Sequence, residues 1–185
     1  MNPTGALELI ITMVFDVYIM IVVARFILQL VRADFYNPVS QFIVKATSPV
    51  LNPLRRIVPG LGGLDVASIV LFMILVFLKL LVWLMLKGYD FSVIPSLDFV
   101  ILFMRSMANT IINFFLFCIF IMVILSWVAQ GNYNPMADIM RQVTEPIMAP
   151  ARKILPPMGG LDLSPMIVIL LLMVIKEFFM LSGAP

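Results

Sequence analysis

Ionisable and amide side chains interrupt otherwise apolar stretches of this chain at regular spacing. Glu8, Thr12 and Asp16 are four residues apart and therefore lie along one face of a helix. Charged residues are expensive to place in hydrocarbon, so each one is a functional candidate by default. The intramembrane polar candidates are Glu8, Thr12, Asp16, Lys79, Arg105, Asn109, Asn113, Lys176 and Glu177.

Two kinds of chemistry fit this row of polar residues. It could carry protons or cations across a membrane, or it could join helices through polar contacts of about 0.6 kcal/mol each. Asp16 and Lys79 lie roughly 12–14 Å below the same end of their apolar stretches, so an ion pair between them is predicted. The equivalent pair later in the chain is Asn113 with Lys176, with Glu177 nearby. The joining role is favoured, because four helices leave little room for a water-filled path.

The residues on which most enzyme chemistry depends are missing from this chain. It has no His, which is the usual proton shuttle and the commonest metal ligand. Its single Cys, Cys118, lies in an apolar run and is expected to be inert. No catalytic, cofactor-binding or metal-binding residues are therefore predicted, and the protein is expected not to be an enzyme.

A second set of candidates lies in two basic, Pro-rich stretches. Each stretch has a pair of cations, two adjacent glycines that permit a tight reversal, and an Asp placed to cap the following helix. The set is Arg55, Arg56, Gly62, Gly63, Asp65, Arg152, Lys153, Gly159, Gly160 and Asp162. The cations are expected to meet the phosphates of anionic lipids. Two alternatives are open for these residues. They could form a dedicated pocket for an anion or a lipid headgroup, or they could form only a structural bend whose cations snorkel to the membrane surface. The absence of a phosphate-binding motif favours the bend.

The elements that position these residues follow from composition. Hydrophobic residues make up 63% of the 185 residues and charged residues 12%, which is too apolar for a water-soluble domain. A membrane-spanning helix needs about 20 predominantly apolar residues, and four stretches qualify. The predicted fold is an all-α membrane protein whose four transmembrane helices cover residues 7–31, 66–86, 101–129 and 163–181.

The placement of Lys and Arg predicts how the chain sits in the membrane. The stretches after the first and third spans carry seven of these cations, whereas the segment between the second and third spans has only Lys87 before Arg105. Cytoplasmic loops are enriched in Lys and Arg, so both basic loops are expected to face the cytoplasm. Both termini are thus predicted to lie on the opposite side of the membrane from the cytoplasm. Arg25 and Arg32, near the cytoplasmic end of the first span, are expected to snorkel.

The chain contains two copies of one unit. At a shift of 97 residues, 13 of the 30 positions in 36–65 are identical to their equivalents in 133–162. Each unit has two spans, so both copies face the same way, as parallel hairpin repeats. The predicted organisation is a first repeat at 1–88 with loop 32–65, an interfacial linker at 89–100, and a second repeat at 101–185 with loop 130–162.

Each loop is predicted to contain an amphipathic helix that proline interrupts. Asn37 and Asn134 are placed as N-caps, each followed by a proline at the first helical position. Pro49 and Pro53 then break the helical register, as their equivalents do in the second loop. The expectation is two short helices that meet at a bend near Pro49 and lie among the lipid headgroups.

The second loop closely resembles the YggT family. Its motif residues are Tyr133-Asn134-Pro135, Thr144-Glu145-Pro146, Pro150, Arg152-Lys153, Pro156-Pro157 and Gly159-Gly160-Leu161-Asp162-Leu163-Ser164-Pro165. The first loop matches less well, with Ser48, Gly60 and Ser68 at three motif positions. The two-copy form is similar to proteobacterial members. The resemblance implies a protein of the bacterial inner membrane, whose outward-facing N- and C-termini would then be periplasmic, and it brings no known catalytic residues. Proteobacterial members of the family are linked to osmotic stress and ion homeostasis. Its single-unit members are linked to division and to the assembly of membrane complexes.

Two functions are therefore expected as alternatives. The first is a non-enzymatic scaffold, or an assembly or stress-response factor, whose cytoplasmic loops bind membrane lipids and an unidentified membrane protein. The second is a small ion transport protein or channel accessory in osmotic stress and potassium homeostasis. No cofactor and no nucleic-acid partner is predicted, and a homo-oligomer is left open.

Overall fold

The structure, a computed structural model, describes residues 3–60, 62–89, 95–128, 134–155 and 162–179. Every helix or strand element in those ranges is an α-helix, in agreement with the predicted all-α class. The helices are α1 (Pro3–Leu30), α2 (Pro38–Ile57), α3 (Val66–Leu86), α4 (Ser96–Val128), α5 (Pro135–Ile154) and α6 (Ser164–Phe178).

Three of these helices, α1, α3 and α4, are long and apolar enough to cross a bilayer. Large apolar side chains such as Met13 and Phe120 stay exposed along them, as expected for helices whose neighbour is lipid. Helix α3 has the bounds predicted for the second span. Helix α4 begins at Ser96, five residues before the predicted third span, so part of the predicted linker is helical. Residues 90–94 of that linker lie outside the described residues.

Helix α6 is the shortest element. Its 15 residues extend about 22 Å at 1.5 Å per residue, less than the roughly 30 Å of a hydrocarbon core. The helix begins at Ser164, one residue after the predicted start of the fourth span. The end of that predicted span, residues 180–181, lies outside the part of the chain that the structure describes.

Each basic loop folds as one continuous helix, so the predicted division of each loop into two short helices is wrong. Proline has no N–H to donate to the carbonyl four residues earlier, which leaves the carbonyls of Lys45 and Pro49 without that partner. Since Pro49 and Pro53 are four residues apart, they disturb only one side of α2, and that side is exposed. The opposite side of α2 packs on the bundle through Ser40, Ile43, Thr47 and Leu51.

The two units meet at the N-termini of α2 and α5. The predicted N-caps are confirmed, because the side-chain oxygens of Asn37 and Asn134 accept the N–H groups of Val39 and Met136, each at 2.9 Å. The Asn37 amide Nδ2 also donates to the Pro135 carbonyl in the other unit, at 2.9 Å. Asn37 is buried, so its hydrogen bond to Pro135 is shielded from solvent.

One apolar core runs through both units. Helix α1 packs mainly on α3, and α4 mainly on α5. Ile19 of α1, Val76 of α3, Phe114 of α4 and Ile139 of α5 belong to the same buried cluster. A smaller cluster lies between α4, α5 and α6, around Met148. The polar residues described below are therefore attached to packed helices, which fix their positions.

Candidate functional site

The predicted contact between Asp16 and Lys79 is formed. Lys79 Nζ donates to Asp16 Oδ1 at 2.6 Å and so joins α3 to α1. Lys79 is buried, whereas about half of the Asp16 side chain is exposed. A buried ammonium without a partner would be strongly unfavourable, so Asp16 is the group that makes Lys79 tolerable at this depth.

The second unit repeats this contact with a neutral partner. Lys176 Nζ of α6 donates to Asn113 Oδ1 of α4 at 3.0 Å, as predicted. Asn113 Nδ2 in turn lies 3.4 Å from Asn109 Oδ1, at the far limit of a hydrogen bond, and Asn109 is buried. Glu177 is exposed beside Lys176. An amide oxygen is therefore sufficient to hold a Lys at this position of the fold.

The remaining polar residues of the row have other partners. Glu8 pairs with Lys87, which follows α3, at 2.9 Å, and this contact was not predicted. The Thr12 hydroxyl donates to the Glu8 backbone carbonyl of its own helix at 2.8 Å. Arg105, the equivalent of Glu8, is exposed. In the described residues, Glu8 and Asp16 thus belong to separate pairs two helical turns apart, about 12 Å along the axis, and not to one connected path.

Arg55 and Asp65 form an ion pair where α2 ends and α3 begins. The Arg55 guanidinium contacts the carboxylate through Nη2 and through Nε, the latter at 3.3 Å, and the Ser68 hydroxyl donates to Asp65 Oδ2 at 2.6 Å. Burial alone would raise the pKa of Asp65, but the hydrogen bonds from Arg55 and Ser68 outweigh it and lower that pKa below its usual value. Asp65 stands at the predicted N-cap position of α3, but its side chain makes no capping hydrogen bond to that helix. In the second unit the N-cap of α6 is Leu163, so the prediction that Asp162 occupies that position is wrong.

The same ion pair recurs in the second unit. Arg152 Nε donates to Asp162 Oδ2 at 3.1 Å, and Nη1 donates to Glu145 Oε2 at 2.7 Å. Asp162 Oδ1 accepts the Ser164 N–H at 2.9 Å. Burial alone would raise the pKa of Asp162, but the contacts with Ser164 and Arg152 together outweigh it and lower that pKa below its usual value.

These carboxylate partners differ from the expectation that both cations of each pair meet lipid phosphates. Arg55 and Arg152 contact acidic side chains instead, whereas Arg56 and Lys153 remain exposed. A repeated spacing was available as a signal: in both units an Arg is followed ten residues later by an Asp.

The predicted tight reversal before α3 is present. Gly62 and Gly63 have φ angles of 59° and 86°, in the left-handed region that favours glycine. The Gln29 amide donates to the Gly63 carbonyl at 3.3 Å and so connects this turn to α1. The predicted equivalents, Gly159 and Gly160, lie outside the described residues.

These polar groups can join helices and present cations. No group of three or more acidic, His or Cys side chains comes together in the described residues in a way that could hold a metal ion. Cys118 is buried among apolar neighbours of the core.

Comparison with known proteins gives consistent matches. A family profile described as CCB3/YggT matches residues 4–86 and 99–182. The chain is 46% identical over 175 residues to the uncharacterized protein PA0392 of Pseudomonas aeruginosa, covering 92% of this chain and 88% of that protein. It is 38% identical over 172 residues to the uncharacterized protein YggT of Escherichia coli K12, covering 93% and 88%. No solved structure matches.

Proposed function

The chain belongs to the CCB3/YggT family, and we propose that it is a non-enzymatic protein of the inner membrane that acts as a scaffold or as an assembly and stress-response factor. In this proposal the chain crosses the bilayer four times. Helices α1, α3 and α4 have sufficient length, and the apolar sequence of α6 continues beyond Phe178. Four spans in two like-oriented hairpins would put both termini in the periplasm and both basic loops in the cytoplasm.

The observation that carries the proposal is the surface formed by the exposed residues of α2 and α5, named here the loop platform. Its exposed cations are Lys45, Arg56, Arg141 and Lys153. Its exposed large apolar residues are Phe42, Val50, Ile57 and Ile154. Because Asn37 hydrogen-bonds across to Pro135, α2 and α5 form one surface and not two independent loops.

Such a surface suits the headgroup layer of an anionic membrane. Each Lys or Arg near an anionic surface contributes about 1 kcal/mol of attraction, and exposed apolar side chains enter the acyl boundary. A helix pair held at that level also offers apolar and basic contacts to a membrane protein partner. We therefore propose anionic lipids and a membrane protein as the ligands of the loop platform.

The polar row supports the scaffold more than ion transport. Two of its carboxylates already have cationic partners, since Asp16 pairs with Lys79 and Glu8 with Lys87. A conducting role would require a hydrated route past these pairs. Ion transport remains the alternative to be tested, with Asp16 as the residue on which it would depend.

Two measurements test the proposed function. Photoreactive amino acids at Phe42 and Ile154, on the loop platform, should crosslink the same identified membrane protein in cells, and one at the lipid-facing Leu170 should not. Purified protein in proteoliposomes should show no flux of potassium or protons under an imposed gradient. Flux that Asp16→Asn abolishes would replace the scaffold by a transporter, and equal crosslinking from Leu170 would remove the role of the loop platform.

A further inference from the structure

A polar cleft lies between the end of α1 and the start of α2. It encloses a cavity of about 220 Å³ and adjoins a wider cavity of about 490 Å³ that extends towards Arg55 and Asp65. Arg25 and Gln29 line both cavities. The polar residues around the smaller cavity, named here the Arg25 cleft, are Arg25, Gln29, Arg32 and Ser40.

Two hydrogen-bond donors in the Arg25 cleft have no partner among the described residues: Arg25 Nε and Ser40 Oγ. Ser40 is only 3% exposed, so it is removed from bulk solvent. Buried polar groups are nearly always hydrogen-bonded, and an unsatisfied pair lining one small cavity needs an explanation. A ligand that supplies acceptor oxygens would satisfy both groups at once.

The charge of the cleft favours an anion. Arg25 and Arg32 form no ion pair in the described residues, while the nearby carboxylate of Asp65 is already engaged by Arg55 and Ser68. Arg55, which lines the wider cavity together with Arg25, adds a third cation. The carboxylates nearby are those of Asp65, in the wider cavity, and Asp34, whose Oδ1 accepts the Tyr36 N–H. Three cations against two carboxylates leave a net positive charge around the cleft.

The backbone at Arg32 adds a second observation. Its φ angle is 52°, in the left-handed region, directly after the end of α1. Glycine is the usual residue at this position after a helix, because other residues are strained there. Asn or Gly would adopt this φ angle with less strain but would carry no charge. Arg32 adopts it and places a cation beside the cleft.

The second unit lacks this arrangement. At the shift of 97 residues, Arg25, Gln29, Arg32 and Ser40 correspond to Met122, Ser126, Ala129 and Ala137. The Arg–Asp pair that fastens the loop is present in both units, so the shared fold does not require the polar residues of the Arg25 cleft. They are a feature of the first unit alone.

We propose that the Arg25 cleft binds a phosphate group. A tetrahedral phosphate presents acceptor oxygens in several directions, so Arg25, Arg32 and Ser40 can donate to it from different sides, whereas the two acceptor oxygens of a carboxylate lie in one plane. The group is either the headgroup phosphate of an anionic lipid or free phosphate from the cytoplasm. This proposal deepens the lipid-binding role proposed for the loops. It rests on the proposed function in one respect, namely that the cleft faces the cytoplasmic side of the membrane.

The experiment uses the full-length protein purified in a mild detergent, with phosphatidylglycerol and inorganic phosphate as separate probes. Lipid retention is measured by native mass spectrometry and phosphate binding by titration calorimetry. The variants Arg25→Met with Arg32→Ala, and Ser40→Ala, introduce the residues that the second unit carries. Ser106→Ala is the matched control, because Ser106 of α4 is also a buried Ser whose hydroxyl has no partner among the described residues, and it lies outside the cleft.

We expect one retained phosphatidylglycerol per chain, about tenfold weaker binding in the double variant, severalfold weaker binding in Ser40→Ala, and a change below about twofold in Ser106→Ala. Phosphate binding with the same variant pattern but without lipid retention would support the cleft and assign free phosphate as its ligand. Equal binding of wild type and Ser40→Ala would overturn the proposal even if the double variant fails to fold. A loss in Ser106→Ala as large as that in Ser40→Ala would also overturn it. Because purified protein is used, failure to find a partner protein leaves this result unaffected.

Discussion

Lys79 Nζ donates a hydrogen bond of 2.6 Å to Asp16 Oδ1, and this contact fastens α3 to α1 inside the first unit. The two ends of the contact differ, because Lys79 is buried and Asp16 is half exposed. In the second unit Lys176 is held by the neutral oxygen of Asn113 at 3.0 Å. The requirement that both units share is an acceptor for the Lys, and a negative charge is present only in the first.

Removing the acceptor should cost more than removing its charge. We expect Asp16→Ala to lower the free energy of unfolding by roughly 1–3 kcal/mol, less than for a fully buried pair because Asp16 is half exposed. Asp16→Asn keeps an acceptor oxygen, as Asn113 does, and should cost less than half as much. Unfolding of the purified protein by SDS titration, followed by circular dichroism, gives both values.

Glu8→Ala is the control for this comparison. Its pair with Lys87 lies nearer the end of α1 and is more exposed on the Lys side, so its loss should cost roughly 0–1 kcal/mol. The reversed pair, Asp16→Lys with Lys79→Asp, should be more stable than either single reversal. If the double variant is no more stable than the single ones, the Asp16–Lys79 contact does not hold the helices together.

Stability should depend on pH through Asp65. Its pKa in the folded protein lies below the ordinary 3.8, so folding favours the ionised carboxylate. The stabilisation is therefore fully present above about pH 5 and is lost as the pH falls through 3.8 and then through the lower folded-state pKa. At pH 7, Asp65→Asn should lower the free energy of unfolding by roughly 1–3 kcal/mol, since Arg55 loses its charged partner. The difference between variant and wild type should shrink towards pH 3.

Asp162→Asn tests the same ion pair in the second unit. Asp162 is exposed and Arg152 has a second partner in Glu145, so this substitution should cost less than Asp65→Asn at pH 7. If the wild type and Asp65→Asn lose the same unfolding free energy between pH 7 and pH 3, a group other than Asp65 controls the acid transition.

The sequence was sufficient for contacts that depend on depth along straight helices. Asp16 and Lys79 could be paired because the rise of 1.5 Å per residue fixes their levels in antiparallel neighbours. The Arg55–Asp65 pair could not be predicted in the same way, because it depends on α2 continuing through Pro49 and Pro53 until Arg55 reaches the start of α3. Which side of α2 packs on the bundle, the side with Ser40 and Ile43, likewise depends on tertiary structure.

The junction between the units should depend on Asn37 more than on Asn134. Both residues cap a helix, and loss of a cap costs about 0.5–2 kcal/mol. Asn37 also donates to the Pro135 carbonyl from a buried position, and this contact should add roughly 1 kcal/mol to the cost of Asn37→Ala. Asn134→Ala is the matched control in the same unfolding assay. Equal losses for the two variants would mean that the contact with Pro135 does not stabilise the junction.

Membrane topology can be tested with single cysteines, because the natural Cys118 is buried and can be replaced by Ala. Arg56→Cys and Lys153→Cys lie on the exposed sides of α2 and α5, and Phe179→Cys lies directly after α6. If the repeats are parallel and α6 spans the bilayer, a membrane-impermeant maleimide should label the first two only in inverted vesicles and the third only in intact spheroplasts. Lys87→Cys, between α3 and α4, is the control that should be labelled from the periplasm. Labelling of Phe179→Cys from the cytoplasmic side would show that α6 does not cross the membrane, and opposite labelling of Arg56→Cys and Lys153→Cys would contradict parallel repeats.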